Sequence, residues 1–233
     1  MLGLFINSAV LLVIMMSCVR WYKKHPLEDG APKGGVGMIE ATVLSIYNDV
    51  IKGCIGENYR RYAPYLLTAF FFVLVNNLMG LIPIFPGGAN VTGNIAITLV
   101  LALCTFVLTN VYGTKAYWKE IFWPDVPTWL KAPIPMMPLI EFFGIFTKPF
   151  ALMIRLFANI MAGHAAVLSL VAIIFITVKS GPVINGSMTV VSVAFSIFMD
   201  ALEILVAFIQ AYVFTMLSAV FIGLSQVKEH AEK

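Results

Sequence analysis

The run from Leu139 to Val178, LIEFFGIFTKPFALMIRLFANIMAGHAAVLSLVAIIFITV, decides the class of this protein. As one helix, its 40 residues would reach about 60 Å, twice the ~30 Å hydrocarbon core of a bilayer. The run therefore predicts either two spans with a tight turn near Pro149 or Gly163, or one strongly tilted helix held against protein. Met188 to Gly223 has the same excess length. Working outward, three more apolar stretches appear: Leu4 to Val19, Ala63 to about Pro86, and Ile95 to Gly113. The first is short enough for a signal peptide, but its cations Arg20, Lys23 and Lys24 follow the apolar run instead of preceding it, so a retained anchor is expected. The sum is an all-α integral membrane protein with about five membrane helices, the last two long and strongly tilted. Composition agrees, with 60% hydrophobic and 12% charged residues, against about 25% charged in soluble domains. A soluble enzyme, a disordered chain, collagen and a coiled coil are all excluded.

The charges give orientation. With five crossings, an outside N-terminus puts Arg20, Lys23, Lys24, Lys33, Lys52, Arg60, Arg61, Lys115, Lys119, Lys131, Lys228 and Lys233 in the cytoplasm and leaves Lys179 alone outside. The C-terminus is then cytoplasmic. PGGANVTGN (86–94) and KSGPVINGS (179–187) read as outer turns. Between Gly34 and Glu57, Met38, Ile39, Val43, Ile46, Val50 and Ile51 recur at helical spacing with polar residues between them, which predicts an amphipathic helix on the inner surface. Five prolines and two tryptophans make 123–138 an interfacial connector. The expected organisation is one membrane domain, 1–233: an anchor helix 4–20, a surface helix 36–57, a helical hairpin 63–113 and a long tilted hairpin 139–226. Fifteen Lys+Arg against twelve Asp+Glu leave a net charge of +3, too small and scattered for a nucleic-acid footprint. Cys18, Cys54 and Cys104 lie far apart and support neither a disulfide framework nor a thiolate metal site.

An ionisable side chain at the centre of a bilayer costs about 2.5–3.5 kcal/mol on insertion scales, so each one marks a candidate functional position. The two long segments carry six: Glu141, Lys148, Arg155 and His164, then Asp200 and Glu203. Glu141, Lys148 and Arg155 are spaced seven and seven, which predicts one polar stripe that Asn159 extends. His164, about half a turn round from Arg155, looks elsewhere. Glu203 and Gln210 share a face, with Asp200 one turn before Glu203. Simpler roles exist for most of these. Glu141 and Lys148 also suit snorkelling at the interface, His164 and Glu203 suit an ion pair joining two helices, and Asn159 and Gln210 suit interhelical hydrogen bonds worth about 0.6 kcal/mol each. Asn76, Asn77 and Asn110 are read as such glue. Arg155 sits too deep to snorkel and cannot deprotonate, so it is a fixed cation. No carboxylate of its own helix is placed to pair with it, which points to a partner from another subunit.

The stretch Glu141 to His164 resembles subunit a of F-type ATP synthases, whose hallmark R-L-F-x-N-x-x-A-G is met by Arg155, Leu156, Phe157, Asn159, Ala162 and Gly163. The resemblance extends through NNLMGLIP (76–83) and the last segment with Glu203, Gln210 and Ala211, covering the chain from about Tyr62. It implies a stationary proton-conducting subunit whose two long tilted helices wrap around a rotating ring of c subunits. Arg155 matches the family's essential arginine facing the ring carboxylates, and Asn159 and Gln210 match polar residues beside the proton route. Many bacterial relatives carry Glu after the A-G and His on the last helix. Here the pair is His164 and Glu203, as in mitochondrial members, and a swap retaining both types implies that the two face each other. Ala151 stands where some relatives have serine.

The resemblance implies two offset half-channels with Arg155 as the barrier, His164 and Glu203 on the outer side, Asn159 and Gln210 beside the barrier, and Glu141 and Lys148 lining the inner side. It implies as partners the c-subunit ring, the peripheral-stalk b subunits, the soluble ATPase head and the lipid bilayer. A bacterial cell inner membrane is expected, with the mitochondrial inner membrane as alternative. No Gly-rich phosphate loop is present, so nucleotide chemistry belongs to partner subunits and no cofactor is expected. An ion-coupled secondary transporter is the alternative, but paired repeats are not visible. A haem carrier lacks a second buried histidine beside His164, the others being His25 and His230.

Overall fold

The computed structural model describes residues 2–25, 32, 34–81, 93–122, 136–178 and 181–226, and every element among them is helical. These are α1 (Leu2–Lys24), α2 (Gly35–Ser45), α3 (Gly53–Ile55), α4 (Tyr59–Leu81), α5 (Ile95–Val111), α6 (Lys115–Phe122), α7 (Met136–Thr177) and α8 (Pro182–Ser225). Four helical stretches, 3–24, 35–81, 139–177 and 183–225, are long and apolar enough to cross a membrane. α5 is shorter, at 17 residues. Residues 86–92 of the expected outer turn 86–94, residues 123–135 of the expected connector 123–138 and the cations Lys33, Lys131, Lys179, Lys228 and Lys233 lie outside the described residues, as does His230.

The choice left open for 139–178 falls on one helix. α7 runs unbroken for 42 residues through Pro149 and Gly163, a length of about 63 Å. Pro149 removes one backbone donor but leaves the helix continuous, as spans allow when neighbouring helices cover the site. α8 lies antiparallel against it, with Thr177 meeting Asn185, Asn159 meeting Gln210 and Lys148 meeting Phe221. The turn between them is shorter than KSGPVINGS predicts. Residues 182–187 already belong to α8, because proline at the first helical position has its φ preset and needs no backbone donor there.

The apolar positions expected to share one face of 36–57 divide, with Ile46, Val50 and Ile51 buried, Ile39 and Val43 half-buried and Met38 75% exposed, and the segment is not a uniform helix. After Ser45 the chain runs as a π-helix over Ile46–Lys52, and Gly56 turns it at φ 74° into α4. The wider π turns bring Ile46, Val50, Ile51 and Ile55 to one buried side, while Asn48, Asp49 and Lys52 stay exposed. That buried side joins Tyr62, Leu66 and Phe70 of α4, Leu152 and Leu156 of α7, and Phe214 and Ile222 of α8 in one core. The far end of α8 is stitched to the loop after α5. Thr114 donates its N–H to the Ser225 carbonyl at 2.9 Å and the Gln226 amide donates to the Tyr112 carbonyl at 2.6 Å, which answers carbonyls a helix end leaves unpaired. α5 starts on Asn94, whose side chain accepts from the Ala96 N–H at 3.0 Å.

Candidate functional site

Leu152 and Leu156 are buried in the core while Arg155, on the adjoining face of α7, is exposed. Its guanidinium makes no ion pair or hydrogen bond with any described residue. Around it the same uncovered face carries Ala151, Ala158, Ala162 and Ala165, all exposed. Small side chains of this kind let a second helix approach closely in lipid. A fixed cation on a bare, small-residue face is therefore accessible to a group carried by another chain.

Two further polar residues of α7, Asn159 and His164, lie where it crosses α8 and α4. Asn77, Asn159, Gly163, His164, Glu203 and Gln210 line a cleft of about 30 Å³, room for a water or two. The Asn159 amide donates to the Gln210 carbonyl oxygen at 3.4 Å. Glu203 lies against Gly163, and a Cβ on that glycine would come to 2.5 Å from Oε1 of Glu203. Glycine here is a seat for the carboxylate. Glu203 Oε1 is buried with no hydrogen-bond partner among the described residues, and His164, half-buried, shares the cleft without bonding to it. An imidazole and a carboxylate beside a space of water size can take up and release protons. Asp200 is exposed and stands off the cleft.

The expected stripe on α7 divides. Lys148 is half-buried with its ammonium 5.9 Å from the Phe221 ring, and it lines a second cavity of about 20 Å³ with Thr105, Thr109, Asn110 and Tyr117. Glu141, a further two turns away, is also half-buried. It stands near Tyr117, where burial first, and then its negative charge, raise the phenol above its usual pKa. Sequence spacing places the three on one line. It does not show that Arg155 alone is left uncovered.

A family model described as ATP synthase A chain matches residues 1–223. The chain belongs to that family. ATP synthase subunit a of Chlorobium phaeobacteroides is 48% identical over 236 residues, covering 98% of this chain and 65% of that protein. The corresponding subunit of Chloroherpeton thalassium is 45% identical, covering 97% and 65%, and that of Myxococcus xanthus 43%, covering 85% and 64%. The chain thus spans about two thirds of the length of these relatives. Apolar helices and bacterial relatives together make it a bacterial membrane protein. Within the A chain fold, Arg155, Asn159 and Gly163 fall on one bare face and one cleft of the same helix.

Two features of the site were missed in the sequence. Asn77, read there as glue, does donate to the Ala207 carbonyl at 3.3 Å, but its own Oδ1 is buried in the cleft wall without a partner among the described residues. Asn110 bonds within its own helix, to the Phe106 carbonyl at 2.8 Å, and lines the second cavity instead of joining helices. The signal for both was available only as an asparagine in an apolar run, which does not distinguish a joint from a wall.

Proposed function

We propose that the chain is the proton-translocating stator subunit of an ATP synthase membrane sector. The observation that carries this reading is Arg155, exposed and unpaired among the described residues on a bare small-residue face, one turn from a cleft that holds His164 and Glu203. Protons reach that cleft from the outer side, neutralise a carboxylate of a rotating c-subunit ring, travel with the ring and leave on the inner side past Lys148 and Glu141. Asn159, Gln210 and Asn77 hold water beside the barrier, and Asp200 lies at the outer approach. Arg155 stands between the two routes. A permanent cation keeps the passing ring acid ionised and repels any proton moving directly across. The gain is large, since one charge moved through 100 mV releases about 2.3 kcal/mol that a leak would dissipate.

In this reading α7 and α8 lie strongly tilted in the cell inner membrane around the ring, the 36–57 segment rests on the inner surface, the N-terminus is outside and the C-terminus cytoplasmic. The chain itself performs no nucleotide chemistry. Peripheral-stalk b subunits hold it against the soluble ATPase head, where ATP is made. Arg155→Ala in the assembled complex is expected to abolish proton-driven ATP synthesis while leaving assembly intact. Normal synthesis in that variant, measured on inverted membrane vesicles, overturns the reading.

A further inference from the structure

Two consecutive asparagines on α4 do different work. Asn76 and Asn7 of α1 are each 1% exposed, and the Asn7 amide donates to the Asn76 carbonyl oxygen at 2.9 Å. Asn76 is then complete, because its own amide donates to the Phe72 carbonyl at 2.7 Å. Asn77 lies about 100° further round the helix and lines the cleft with Asn159, Gly163, His164 and Glu203. From Leu2 to Val19 the rest of α1 is apolar apart from Ser8 and Ser17, with Phe5, Leu12, Val13 and Val19 exposed. In lipid such side chains gain nothing by choosing a protein neighbour over acyl chains, so a buried polar bond is what fixes where one span sits on another and at which rotation.

We propose that the Asn7–Asn76 pair is a positioning element of the proton path, through which α1 holds α4 at the rotation that presents Asn77 to the cleft. The proposal rests on the reading of that cleft as a proton route. Neither Asn7 nor Asn76 touches the route. Both act through Asn77, whose unpaired oxygen accepts a hydrogen bond from water moving between His164 and Glu203. A turn of α4 by one residue in the sense that brings Leu78 round would withdraw that oxygen and set an apolar side chain in its place.

Replacing both members of a buried polar pair by apolar residues of similar size is close to neutral for stability, which separates positioning from simple joining of helices. The test is passive proton flux through the membrane sector of vesicles stripped of the soluble head, normalised to the amount of chain present. Asn7→Leu/Asn76→Leu is expected to assemble normally and to lower flux roughly threefold to tenfold. Adding Asn77→Leu to that double variant should lower it no further than Asn77→Leu does alone. Wild-type flux in the double variant, or losses that multiply in the triple one, overturn the proposal. Should the double variant fail to accumulate, Asn7→Ala carries the same comparison, since it removes the bond from the α1 side and leaves α4 unchanged. If Asn77→Leu alone leaves flux at the wild-type level while Arg155→Ala still abolishes synthesis, the inference falls and the functional reading stands. Normal synthesis with Arg155→Ala removes the reading itself.

Discussion

From Pro182 to Ile204, among the described side chains, helix α8 buries only Ser192, whereas from Ala207 to Ser225 it buries Ala207, Gln210, Ala211, Phe214, Thr215, Ser218, Ala219, Ile222 and Ser225. Hydropathy does not separate the two halves. The first half leaves Val183 82%, Val190 70% and Ile197 66% exposed, surface that must be solvated by lipid or a partner. Small residues recur in both, as Gly186, Thr189, Ser192 and Ser196 in the first half show, and what separates the halves is that the core of the other helices packs on the second. The buried half repeats Ala, Ser and Thr at spacings of three and four, so α4, α5 and α7 approach its backbone closely, and hydroxyls join across the gaps. Thr105, for example, lies 3.3 Å from the Ser218 hydroxyl and 2.7 Å from that of Tyr65. One helix therefore serves as core at one end and as membrane surface at the other, and Glu203 lies at the junction.

The contrast is most exposed to failure at Phe214. Phe214→Ala empties a position that is 1% exposed and should cost about 3–5 kcal/mol, whereas Phe195→Ala, at a residue 55% exposed, should cost less than about 0.5 kcal/mol. Equal losses in detergent unfolding titrations would break the comparison. Adding volume tests the same difference from the other side. Ala211→Leu, at a residue with no exposed surface, is expected to lose about 1–3 kcal/mol through overpacking, and Ala194→Leu in the exposed half should unfold at the wild-type midpoint. The smallest effect belongs to the junction. Gly163→Ala displaces the Glu203 carboxylate and should slow ATP-driven proton pumping about tenfold, some 1.4 kcal/mol, with assembly preserved. Glu203→Asp in the same chain shortens the displaced side chain and should recover part of the rate. No recovery would mean that Gly163 serves something other than seating Glu203.

The sequence showed the long segments, the polar residues Asn159, His164, Glu203 and Gln210 of the cleft and the unusual status of Arg155. It left open whether 139–178 turns back on itself, since the count of apolar residues is the same for one long helix as for two short ones. It extended the 179–187 turn too far, because the Gly and Asn of KSGPVINGS favour turns while Pro182 at a helix start does the opposite. It grouped Glu141, Lys148 and Arg155 by their spacing of seven, and the structure gives them different surroundings: a site by Tyr117, a second cavity and a bare face. Asn7 passed as one more residue of an apolar anchor.

What the chain alone determined was therefore everything governed by transfer from water to lipid: the class, the apolar segments and which ionisable residues are too costly to be incidental. Only the tertiary structure decided direction. A helix of known sequence can be rotated about its axis without changing its hydropathy, and in a bilayer no general preference of apolar side chains for protein over lipid fixes that rotation. Close approaches such as Glu203 on Gly163, and bonds such as Asn7 to Asn76, fix it. They turn His164 and Asn77 toward a shared cleft and leave Arg155 uncovered.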